Sequence, residues 1–158
     1  MHQVAHCLLS NVFDGIWPGN LKGGWLDGGL AHAYEIRKFG GVRHYCYLEG
    51  DTMLEFKFGH WEQAVRTAVG KERDLPFVRV AAKHTLELTP EEHMFGWSFI
   101  DYVMQAHPGK LGPLSKAIKS KTALAKTIQD VFGMTTFAFH DAWRAWVLES
   151  YSTKKRKR

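Results

Sequence analysis

His2 and His6 stand four residues apart, a spacing that puts both side chains on one face of an α-helix, one turn from each other. Two imidazoles so placed can reach a single zinc ion. Two neutral histidines alone hold zinc weakly, so a third ligand has to come from elsewhere. Asp27 and His32, in the next helical segment, are the candidates. Gln3, directly after the first histidine, carries an amide that is neutral at physiological pH. It can hydrogen-bond a water but cannot take its proton. The residues describe two imidazoles placed for a metal ion beside a polar group that cannot accept a proton.

The surrounding strings extend this reading. His2-Gln3-Val4-Ala5-His6 is followed by Trp25-Leu26-Asp27-Gly28-Gly29-Leu30-Ala31 and by Thr89-Pro90-Glu91-Glu92-His93-Met94-Phe95-Gly96-Trp97. Then come His107-Pro108-Gly109-Lys110-Leu111, Val131-Phe132-Gly133 and Asp141-Ala142-Trp143-Arg144-Ala145-Trp146. In this order they resemble the helical part of the gluzincin-type zinc peptidases (peptidase MA-like), over residues 1–150. The resemblance implies a Glu general base where Gln3 stands and a Glu ligand where Gly28 stands. It also implies an oxyanion-binding Tyr where His93 stands. The usual ligand spacing after the second histidine lands on Trp25, which is no ligand either.

From that resemblance follow a mainly α fold, zinc as the cofactor, and a peptide or protein as the partner. A β-rich half, often with an export signal, precedes the zinc helix in the family. No signal peptide is visible here and the chain opens inside the motif, so an N-terminally truncated form is expected. The expected function is a degenerate metallopeptidase-like protein without peptide hydrolysis, serving in binding or scaffolding. The alternative is an active zinc hydrolase with rewired ligands: His2, His6 and Asp27 or His32, with Glu35 or another carboxylate as base. On either reading, restoring carboxylates at positions 3 and 28 should raise zinc affinity.

The 158 residues suffice for one domain with a packed core, and the 45% apolar content argues against a disordered chain. Lys plus Arg number 21 against 16 Asp plus Glu, and the last five residues are all basic. The excess therefore belongs to a tail, residues 151–158, expected to be disordered, and not to the domain of residues 1–150. The body carries one local lysine-rich stretch, with Lys116, Lys119, Lys121 and Lys126. It reads first as a solvated face and second as a surface for nucleic acid or another acidic partner. No run of residues is apolar and long enough for a membrane span. Cys7 and Cys46 read as small buried residues rather than a disulfide framework. Nothing in the sequence fixes an oligomeric state.

The elements that must position these residues are helices. The first runs from His2 to Phe13 with Leu8, Leu9 and Val12 as its apolar side. Asp27 reads as the N-cap of a second helix that ends at Gly40-Gly41. Residues 42–58 read either as one short hairpin around Gly50 or as helix or loop. Further helices are expected over 59–69 and 76–83. Thr89-Pro90-Glu91-Glu92 opens another, a Thr cap with Pro at N1 and acids in the first turn. Pro113, Thr122 and Thr135 or Thr136 open the last three.

Overall fold

The structure is a computed structural model that describes residues 2–44 and 61–152. It is mainly α: α1 (His2–Asn11), α2 (Gly24–Phe39), α3 (Trp61–Gly70), α4 (Phe77–Ala81), α5 (Pro90–Ala106), α6 (Leu111–Lys119), α7 (Leu124–Phe132) and α8 (Thr136–Ser150). Short 3-10 turns lie at Pro18–Asn20, Thr85–Glu87 and Pro108–Lys110. No strand occurs among the described residues. The expected hairpin lies, beyond residue 44, outside the described residues, as do Cys46 and most of the basic tail. No helix among the described residues is long and apolar enough to cross a membrane.

Local chemistry accounts for the helix ends. At α5 the Thr89 hydroxyl accepts from the Glu92 amide at 3.3 Å, and the Glu92 carboxylate accepts from the Thr89 amide at 2.9 Å. That reciprocal box satisfies two N-terminal donors, and Pro90 fills N1 at no cost. Thr135 caps α8 with its hydroxyl alone, which accepts from the Ala138 amide at 3.1 Å. Gly40 and Gly133 close α2 and α7 in the left-handed conformation, at φ +74° and +72°.

α2 and α5 form the central pair. They approach through Gly29 and Gly96: a β-carbon at Gly29 would lie 2.6 Å from the Gly96 carbonyl oxygen. Around this crossing, Trp25, Phe77, Phe95, Phe99, Phe139 and Trp143 build one continuous core, all fully buried or nearly so. The position reached by the usual ligand spacing, Trp25, belongs to that core and stacks edge-on against Phe77.

Five sequence expectations need correction. α6 begins at Leu111, two residues before Pro113, and Ala123 rather than Thr122 stands at the N-cap of α7. α2 begins at Gly24 with Gly23 at its N-cap, so Asp27 lies inside the first turn and does not cap the helix. α1 buries His2, Ala5 and Leu9, leaving Leu8 and Val12 exposed, because the side facing α2 is set by the histidines. Cys7 is exposed.

Candidate metal centre

Three helices bring polar side chains to one buried place. α1 supplies His2 and His6, α2 supplies Asp27, Gly28, His32 and Glu35, and α5 supplies His93. On α2, Gly28, His32 and Glu35 follow at i, i+4 and i+7, a single stripe. His2, His32, Glu35 and His93 are all essentially inaccessible to solvent.

The two carboxylates have different surroundings. Asp27 is saturated: Oδ1 lies 2.8 Å from His6 Nδ1, while Oδ2 accepts from Trp17 Nε1 at 2.9 Å and from Thr85 Oγ1 at 2.8 Å. Glu35 is not. Its Oε1 lies 2.7 Å from His44 Nδ1, but its buried Oε2 accepts no hydrogen bond from the described residues. That oxygen instead faces His2 Nδ1 at 3.5 Å and His32 Nδ1 at 3.7 Å. Both distances are long for hydrogen bonds. They are close to the ligand–ligand edge, about 3.3–3.4 Å, of a tetrahedron around zinc with bonds of about 2.0–2.1 Å. The ligand atoms of His2, His32 and Glu35 lie within 4.8 Å of one another.

Outer contacts complete the arrangement. His32 Nε2 lies 3.3 Å from His93 Nδ1, so His32 can turn Nδ1 toward Glu35 and tie its other nitrogen to His93. Glu35 does the same with its second oxygen and His44. Metal-binding groups are commonly held this way, each by a second hydrogen bond outside the coordination sphere.

Protonation suits ligation as well. Burial pushes His32 down to about 4, the nearby Glu35 only partly opposing it. Burial likewise holds His93 well below the usual imidazole range, helped by the charges of His32, His2 and His6. For Glu35 burial pulls upward, but contacts with His2, His32 and His44 outweigh it and keep the carboxyl well below its ordinary range. His32 and His93 are therefore neutral and Glu35 ionised at neutral pH, the states in which they can donate to a cation.

The expected site residues are thus divided. His2 and His32 come together, and Glu35, read from the sequence as a base, joins them at ligand distance. His6 Nδ1 is turned to Asp27, and both Asp27 oxygens already hold partners. Gln3 is exposed. His93 is sealed from solvent, in contact with Gly28 and His32, with no face open to a substrate oxyanion. A β-carbon at Gly28 would lie 3.0 Å from His93 Nδ1, so a side chain at 28 would press on an imidazole that has to give way by a few tenths of an ångström.

The lysine-rich stretch is divided too. Lys119 is 2% exposed, its ammonium bound to the Ser10 and Val12 carbonyls and 3.2 Å from Asp14, and Lys126 pairs with Asp130. Lys116 and Lys121 remain exposed. Sequence reasoning missed Glu35 as a ligand and Trp17, Thr85 and His44 altogether. The i, i+3 pair His32–Glu35 was the one available signal. Comparison with known proteins finds no family model, no curated protein and no solved structure that matches the chain.

Proposed function

We propose that this chain is a degenerate metallopeptidase-like domain that binds a divalent metal ion, zinc by its nitrogen and oxygen donors, through His2, His32 and Glu35, and hydrolyses no peptide. The observation that carries the reading is the buried Glu35 Oε2, an ionised oxygen without a hydrogen bond from the described residues, flanked by the imidazole nitrogens of His2 and His32 at 3.5 and 3.7 Å. A buried anionic oxygen in that condition is costly unless a cation compensates it. Mixed imidazole and carboxylate donors suit zinc. Bound there, zinc would supply a cross-link between α1 and α2, and with it folding free energy.

Two features argue against the rewired hydrolase. Water activation needs a base beside the metal. Glu35, the carboxylate suited to that role, is spent as a ligand, and both oxygens of Asp27 are engaged. The donors are also buried, as in closed structural sites rather than open catalytic ones.

Metal analysis of the purified chain, with and without added zinc, tests this. One zinc per chain is expected, retained in His6→Ala and lost in His32→Ala and Glu35→Gln, with no cleavage of casein or of a peptide library. No zinc above background after reconstitution would remove the metal reading. Cleavage by the zinc-loaded chain that disappears in His32→Ala would instead establish the hydrolase.

A further inference from the structure

Away from the histidine cluster, a cavity of about 610 Å³ opens where the start of α2 meets the ends of α4 and α6 and the start of α7. Small-molecule sites span about 300–1,000 Å³ and combine apolar walls with a few convergent polar groups. This one fits that description. Leu21, Trp25, Ala81, Ile118 and Leu124 supply the apolar lining. Lys22, His84 and Lys121 supply the ionisable groups, and none of the described lining residues is acidic.

The two lysines are uncommitted. Lys22 and Lys121 are exposed and join no ion pair among the described residues. The Lys22 amide donates to His84 Nδ1 at 3.3 Å. With Nδ1 as acceptor, a neutral His84 carries its proton on Nε2 and remains a donor. Both lysines also sit at left-handed φ, +56° and +57°. Glycine or asparagine would take those backbone positions at lower cost, yet both carry a long cationic side chain.

We propose that this cavity binds a small organic acid with an apolar body. Lys22, Lys121 and His84 would receive the carboxylate, and Leu21, Ile118 and Leu124 the hydrocarbon. The two halves of the lining select this class together. An inorganic anion would leave the apolar walls wet, and an uncharged hydrocarbon would leave the cationic groups uncompensated.

Isothermal titration of the full chain with decanoate, decanol and inorganic phosphate, below micellar concentrations, tests the proposal independently of the metal centre. Decanoate is expected to bind saturably at one per chain, with decanol and phosphate weaker by about tenfold or more. The double variant Lys22→Ala with Lys121→Ala should lose the preference for decanoate over decanol. Ala123→Trp, which fills the cavity from its exposed rim, should lose both ligands while melting like the natural chain. Equal binding of decanoate and decanol overturns the proposal, as does phosphate binding as tightly as decanoate. So does decanoate binding unchanged in both variants. If a variant fails to fold, the ligand comparison on the natural chain decides alone.

Discussion

A β-carbon at Gly28 would lie 3.0 Å from His93 Nδ1 and 3.2 Å from Cε1, while one at Gly29 would meet the Gly96 carbonyl oxygen at 2.6 Å. Adjacent glycines therefore face different obstacles: a side chain that can shift by a few tenths of an ångström, and a helix backbone that cannot. Replacing glycine by alanine within a helix gains about 1 kcal/mol of propensity, and forced overpacking costs about 1–3 kcal/mol. Urea denaturation should accordingly place Gly28→Ala within about 1 kcal/mol of the natural chain. Gly29→Ala should lose about 2–3 kcal/mol. Equal losses would mean that α2 and α5 do not cross at Gly29. The same contact governs attempts to rebuild a peptidase-like site. Gln3→Glu with Gly28→Glu should gain no zinc affinity, because His93 fills the space, whereas adding His93→Ala should produce a gain in a chelator-competition assay. A gain from the double variant alone would refute this placement of His93. His2 and His32 were legible in the sequence because helical spacing is local. Glu35 was not legible as a ligand, because which α2 carboxylate meets α1 depends on how the two helices rotate against each other. Asp27 passed for a cap because Gly23 and Gly24, poor helix formers, hid an earlier start.

α1 depends on α6 as much as on its own sequence. The helix has no acidic residue in its first turn and no basic residue in its last, so its dipole is left uncompensated from within. Lys119 supplies what is missing. Its ammonium reaches the Ser10 and Val12 carbonyls and Asp14 from α6, satisfying groups at the C-terminal end of α1 that lack helical partners. Hydrogen bonds to a charged group contribute about 1.5–3 kcal/mol, so Lys119→Met should destabilise the chain by about 2–3 kcal/mol. It should also weaken zinc binding, since α1 carries His2. Lys116→Met, on the exposed side of the same helix, should change stability by less than about 0.5 kcal/mol. Similar effects of the two substitutions in thermal melts would remove Lys119 from this role. The contrast marks what a sequence discloses about elements. The Thr89 and Thr135 caps and the Gly40 and Gly133 stops were legible, since each involves neighbours a few residues apart. The inward face of α1 rests on partners in α2, such as Asp27, 21 residues from His6, and the burial of Lys119 rests on contacts across more than a hundred residues, and Leu8, Val12 and the lysine run gave no local sign of either.

At the scale of the molecule, acidification should act through histidines that the fold keeps neutral. Burial is the largest influence on His32, His93, His107 and His140, and each lies below the ordinary imidazole range, His32 at about 4. An unfolded chain protonates these groups as pH falls through about 6.5, while the folded chain does not protonate His32 until about pH 4. Between those limits the unfolded state binds more protons, so stability rises with pH and falls on acidification. Glu35 and Glu92 act in the same direction lower down. Their depressed carboxyls, each a balance in which partner contacts outweigh burial, contribute stability above about pH 4.5 that disappears as pH falls through their folded values. Thermal melts of the chelator-treated chain should therefore be level above pH 7 and decline steadily from about 6.5 toward 4. His93→Phe should reduce the slope of stability against pH by up to about one proton, because its imidazole no longer charges on unfolding. A melting temperature that stays constant from pH 7 to 5 would contradict the neutral, buried state of the cluster, and with it the readiness of His32 to ligate a metal at neutral pH. Zinc should steepen the decline, since protons then compete with the metal for the same nitrogens. A chain whose acid sensitivity is identical with and without zinc would place the metal, if bound, away from His2, His32 and Glu35.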